Sequence, residues 1–167
     1  MTLALPARTL FGPSAMAKAP AWISLFDALA SSWPIARVIE PEGWLDGSAC
    51  FSMRDDGWLA YSEQGELTLP GGRFTARQSY LFEPRPDGFA VWFDAEPRRL
   101  FHEIALADAT GGRLTGSASH LCREDLYLSV YAFEPDGSFT IRHRVTGPNK
   151  DYTVTTTYTR PTHPEAA

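Results

Sequence analysis

HLCREDLYLSVYAFEPDGSFTIRHRVTGPNKDY, residues 120–152, decides how the chain folds. Pro135-Asp136-Gly137 is a turn signal between two runs of alternating character. Successive side chains of a strand point to opposite faces. Phe139, Ile141, His143 and Val145 therefore share one face, and Thr140, Arg142, Arg144 and Thr146 share the other. GPNKDY then reads as a tight hairpin, because Pro148 fixes one φ angle and Asn149 tolerates the left-handed region. The one imidazole in that apolar row is either a hydrogen-bonded core residue or part of a site.

The same period of two runs outward through most of the chain. WPIARVIE, GSACFSMR, WLAYSEQGELTL, RFTARQSYLFE, FAVWFD, RRLFHEIAL and RLTGSASHL precede the hairpin, and DYTVTTTYTR closes it. Turn residues separate these runs, and Gly65 inside the third marks an expected bulge or bend. Before them, AWISLFDALASSW places Trp22, Leu25, Phe26, Leu29 and Trp33 three and four apart, the spacing of one face of a short amphipathic helix. Serial hairpins without intervening long helices predict an all-β, antiparallel up-and-down barrel of calycin type, about nine or ten strands behind an N-terminal capping helix. Closing such a sheet removes its edges and leaves an interior able to hold a small ligand. Residues 1–20 are expected to be a loosely ordered lead-in, 21–160 a single barrel domain and 161–167 a short polar tail.

Composition narrows the function classes. The 167 residues suffice for one domain with a real core, and the net charge of −5 comes without a basic stripe, so no nucleic-acid partner is expected. No run approaches the length of a membrane-spanning helix, and the N-terminus lacks the layout of a signal peptide. Cys50 and Cys122 are too few for a disulfide scaffold and read as free thiols in a reducing cytoplasm. The expected partner is a small apolar or amphiphilic molecule, and a homodimer is left open.

RQSYLFE, LFHEI, HLCREDLY and RVTGPNKDY, in that order behind a helix and a Trp, resemble an uncharacterised family of small barrel proteins. That family is a domain of unknown function, and the resemblance, over residues 22–160, implies a calycin-like (lipocalin-like) barrel and no particular reaction. A weaker likeness is to calycins in general, where a Gly-X-Trp lies near the first strand and a late Arg or Lys covers the indole. Here the position reads Ser31-Ser32-Trp33, and Arg160 is the candidate cation.

Alternation sets one imidazole on each of three apolar faces: His102 with Leu100 and Ile104, His120 with Leu114, Gly116 and Ala118, and His143 as above. If all three point inward, they are candidate zinc, iron or haem ligands. A lone His on an apolar face is more often a hydrogen-bonded core residue, and a polar contact for an organic ligand is the further alternative. Asp125 and Tyr127 lie close to His120 in sequence, and an Asp that orients an imidazole would make His120 a general acid or base, giving His120, Asp125 and Tyr127 as candidate catalytic residues. The enzyme reading is an isomerase, cyclase or hydrolase. The leading reading is binding of a small apolar ligand, with Tyr80 and Trp92 in the wall, His102 and His143 as polar contacts and Lys150 at the mouth. Glu63, Arg77, Arg142 and Arg144 default to a solvated outer face, and an Arg turned inward would hold a carboxylate.

Overall fold

The computed structural model describes residues 21–161, with side chains from Ser24 onward. The expected lead-in at 1–20, the Trp22 side chain and residues 162–167 lie outside what is described. Helix α1 (Ala21–Leu29) is followed by eleven strands: β1 (Ser32–Glu40), β2 (Trp44–Met53), β3 (Leu59–Leu69), β4 (Gly72–Arg85), β5 (Gly88–Phe93), β6 (Arg99–Ala105), β7 (Ala107–Asp108), β8 (Leu114–Cys122), β9 (Asp125–Phe133), β10 (Phe139–Gly147) and β11 (Lys150–Tyr158). Every hydrogen-bonded pair is antiparallel, and the strand order is β6-β5-β4-β3-β2-β1-β11-β10-β9-β8-β7. Apart from the β1–β11 pair, neighbours in the sheet are neighbours in sequence, so the fold is an up-and-down, nearly closed barrel. The extra strand over the expected count is the two-residue β7, too short to carry a period of its own.

The seam lies between β6 and β8, which pack against each other without a ladder between them. Gly116 makes that approach possible. A Cβ there would stand 2.4 Å from Ile104 Cγ2 and 2.6 Å from the Ala105 carbonyl oxygen. Gly65 has a related role, not the expected bulge: the register runs unbroken through it on both sides. It faces Gly47, and a Cβ on either would collide with the backbone of the other strand.

Alternation sorts the core as expected along β10, where Phe139, Ile141 and Val145 are buried. The Pro148-Asn149 turn is the tight hairpin read from GPNKDY, with Gly147 opposite Lys150. At one end α1 plugs the barrel: Phe26 and Leu29 join the core cluster with Trp33, Phe89 and Phe139. Trp33 donates from Nε1 to the Leu29 carbonyl at 2.9 Å and meets Phe139 edge-on at 5.0 Å. Arg160 does not take the calycin-like place over the indole. It lies along the Asp136–Gly137 turn, donating to the Asp136 carbonyl at 3.4 Å. Among the described residues the helix carbonyl, and not a cation, anchors Trp33.

Cys50 and Cys122 are both free thiols. Among the described residues no helix is long and apolar enough to cross a membrane.

Candidate functional site

Beyond the aromatic plug the barrel interior opens into a cavity of about 420 Å³. Its lining combines apolar side chains, Ile39, Leu67, Leu69 and Val154 among them, with an arrangement of polar groups. Along β1 the inward row runs Trp33, Ile35, Arg37, Ile39, and along β3 it runs Leu59, Tyr61, Glu63. Each row places one charge, of opposite sign, on an otherwise uncharged face. Between them β2 contributes Gly47 and Ala49 on that face, small enough to let the Arg37 side chain reach across.

Arg37 and Glu63 form a bidentate pair, Nη1 donating to Oε1 and Nη2 to Oε2, both at 2.7 Å. Arg37 Nε donates to Thr156 Oγ1, also at 2.7 Å. The Glu63 side chain is only 4% exposed and that of Arg37 15%. Burial alone would lower the proton affinity of the guanidinium, but the hydrogen bonds and charge of Glu63 outweigh it and hold Arg37 above its ordinary range. The Tyr61 hydroxyl donates to Glu63 Oε2 and lies 2.9 Å from the Tyr158 hydroxyl. Burial, then the neighbouring Tyr158 and Glu63, push the Tyr61 phenol far above its ordinary range, so it stays protonated. Tyr80 is pushed up to about 12, again by burial first and Glu63 second.

His143 lines the cavity from β10, and its Nδ1 shares a hydrogen bond of 2.8 Å with Ser129 Oγ from the facing strand. Burial and the Arg37 charge lower it to about 4 against the opposing pull of Glu63, so the ring is neutral near pH 7. His102 is buried behind the cavity wall, with Nε2 2.9 Å from the Tyr131 hydroxyl and, among the described residues, no partner for Nδ1. Burial, then the other two imidazoles, lower it to about 3.

The chain matches the model of a family of unknown function, DUF6314, over residues 29–160. The protein belongs to that family. A comparison with curated proteins finds no match.

In this DUF6314 barrel the three imidazoles gather around one phenyl ring. The centroid of Phe101 lies 4.1 Å from that of His102, 5.2 Å from His120 and 6.0 Å from His143. The register slips between Val91 and Trp92, opposite which Phe101 is the extra residue, so Phe101 and His102 are both buried while Leu100 is exposed. Leu100 therefore does not share the His102 face as alternation predicted. Among the described residues no group of three or more His, Cys, Asp or Glu is placed to hold a metal.

The other expected site residues divide. Tyr80 and Tyr127 line the cavity, and Tyr80 stacks on Phe101 at 5.9 Å. His120 is half-buried against Phe93, Phe101 and Tyr127 and is not part of the cavity lining. Asp125 is held by Lys150 at 2.7 Å, and among the described residues no hydrogen bond joins it to His120. Lys150 also approaches the Tyr127 hydroxyl at 3.4 Å. Trp92 lies outside the barrel, stacked on Trp58 at 6.2 Å and donating to Glu83 at 2.9 Å, so it does not form cavity wall. Glu63 corrects the expectation of a solvated outer face. Arg37, Tyr61 and Tyr158 were not picked out from the sequence, although the row Trp33-Ile35-Arg37-Ile39 carries the same signal that singled out His143.

Proposed function

We propose that this protein binds a small, largely apolar molecule inside its barrel. The observation that carries this reading is the cavity of about 420 Å³, lined by apolar side chains together with hydrogen-bonding ones. That volume falls in the range of small-molecule pockets, roughly 300–1,000 Å³. A barrel whose only task was its own stability would gain from filling such a space, since unfilled apolar volume costs packing energy. Tyr80, Tyr127 and His143 are the contacts a ligand would meet from the walls, with Arg37 and Glu63 as the paired charges of the lining.

The test is titration of the purified full chain with 1-N-phenylnaphthylamine, a neutral apolar fluorophore, alongside native and denaturing mass spectrometry of the same sample. One-to-one binding is expected. Val154→Trp, which enlarges a side chain of the cavity lining, is expected to weaken it at least tenfold while leaving the circular dichroism spectrum intact. Absence of saturable binding, together with a mass spectrum free of any co-purified molecule, would sink the reading. Binding that ignores Val154→Trp would move the site elsewhere.

A further inference from the structure

We propose that the ligand of this cavity is an uncharged amphiphile, an apolar body with a neutral hydrogen-bonding head such as a hydroxyl, and not a carboxylate. The inference rests on the reading that the barrel binds a ligand, and it specifies the chemistry of that ligand from the charge balance of the site.

Among the described residues that line the cavity, the only Asp, Glu, Lys or Arg side chains are Arg37 and Glu63, and they pair with each other through two short hydrogen bonds. A barrel that recognises a carboxylate needs a cation free to face it. Here the guanidinium fork is already occupied by a carboxylate from the protein itself. An incoming anion would have to share the cavity with Glu63, whose side chain is 4% exposed, or displace it into a buried and unpaired state. Lys150, which approaches the hydroxyl of the cavity-lining Tyr127 at 3.4 Å, is held by Asp125 at 2.7 Å. His143 cannot take over the role near neutral pH, because burial and the Arg37 charge keep it unprotonated. A cationic head fares no better, since Arg37 already neutralises the Glu63 charge and three hydrogen bonds, two from Arg37 and one from Tyr61, occupy its oxygens.

The capacity left over is neutral in both senses. Tyr61 has one proton and gives it to Glu63, so in the Tyr61–Tyr158 contact Tyr158 must be the donor. That leaves lone-pair capacity on the Tyr158 oxygen as an acceptor. Gln78 Nε2 donates to the Tyr80 oxygen, which leaves the Tyr80 proton available as a donor. All four side chains border the cavity. A cavity of about 420 Å³ lies in the small-molecule range of roughly 300–1,000 Å³, which suits a single-chain amphiphile as probe.

The experiment is competition for bound 1-N-phenylnaphthylamine at pH 7.4 by 1-dodecanol, dodecanoate and dodecylammonium, each below its aggregation threshold. The three share one chain and differ only in the charge of the head. Dodecanol is expected to displace the fluorophore at a concentration at least tenfold lower than either ion. Glu63→Gln, which unmasks the Arg37 charge, is expected to invert the order and improve dodecanoate at least tenfold. If wild-type protein takes dodecanoate as well as dodecanol, or better, the inference is overturned while the binding reading stands. That comparison needs no variant, so it holds even if Glu63→Gln fails to fold. If the fluorophore itself never binds, the binding reading fails and this inference fails with it.

Discussion

Replacing Arg37 by Met should be among the most damaging single changes in the barrel interior, and replacing Glu63 as well should undo much of the damage. The Glu63 carboxylate is almost fully buried and accepts three hydrogen bonds, two of them from Arg37. Arg37→Met leaves that charge with the Tyr61 hydroxyl alone. Stranding one member of a buried pair costs about 3–5 kcal/mol. For a chain of this length each kcal/mol lowers Tm by about 2–4 °C, so a fall of roughly 6–20 °C is expected. Glu63→Met strands a guanidinium that is more exposed and keeps its bond to Thr156, so about 2–3 kcal/mol is the expected loss. The double variant buries no charge, and Tyr61 and Tyr158 still bond each other; it should lie within about 2 kcal/mol of wild type. The coupling energy of the cycle is then on the order of 3 kcal/mol or more. Urea unfolding at pH 7, followed by tryptophan fluorescence and analysed by linear extrapolation, measures all four corners. An Arg37→Met protein within 1 kcal/mol of wild type, or a double variant as unstable as the sum of the singles, would refute the claim that the pair is a buried, mutually dependent unit.

Two further outcomes follow from the histidines and the seam. His102 and His143 are held at about 3 and about 4, below the ordinary value of 6.5, chiefly by burial. The unfolded chain therefore binds more protons than the folded one below pH 6.5. Stability is fully present above that pH and falls as pH drops toward the folded values, by up to about 1.4 kcal/mol per pH unit for each ring. Urea midpoints taken from pH 7 to pH 4.5 should fall steeply and His102→Gln should remove about half the slope; a flat profile would contradict the burial of both rings. Gly116→Ala puts a methyl group 2.4 Å from Ile104 Cγ2 and should cost about 1–3 kcal/mol in the same assay, whereas no loss would mean that β6 and β8 do not meet there.

The fold was legible because its information is local. Nearly every strand pairs with its sequence neighbour, so a period of two and a turn signal specify both the faces and the partner. Where pairing departs from that logic, reading fails. Phe101 points inward because β5 and β6 slip by one residue between Val91 and Trp92, and nothing in RRLFHEIAL announces the slip. The slip changes the site, since it seats a phenyl ring among the three imidazoles and puts Leu100 outside. Trp92 illustrates the ambiguity of an aromatic-rich strand: with Phe89, Val91 and Trp92 all apolar, composition does not say which face is inside.

The ion pair was hidden for a different reason. A charge in a strand is ordinarily solvated, because burying it alone is costly, so each residue by itself argues for the outer face. Parity argues the reverse: Arg37 falls in the row of Trp33, Ile35 and Ile39, and Glu63 in the row of Leu59 and Tyr61. Either inward charge is improbable alone, and both become favourable together once β1 and β3 are set one strand apart across the small face of β2. The pairing of two such rows is a property of the closed sheet and of no single strand. A barrel sequence is therefore better searched for complementary charges in apolar rows of strands two apart than for isolated chemical motifs. By that criterion Arg37 and Glu63 would have been found before any of the histidines.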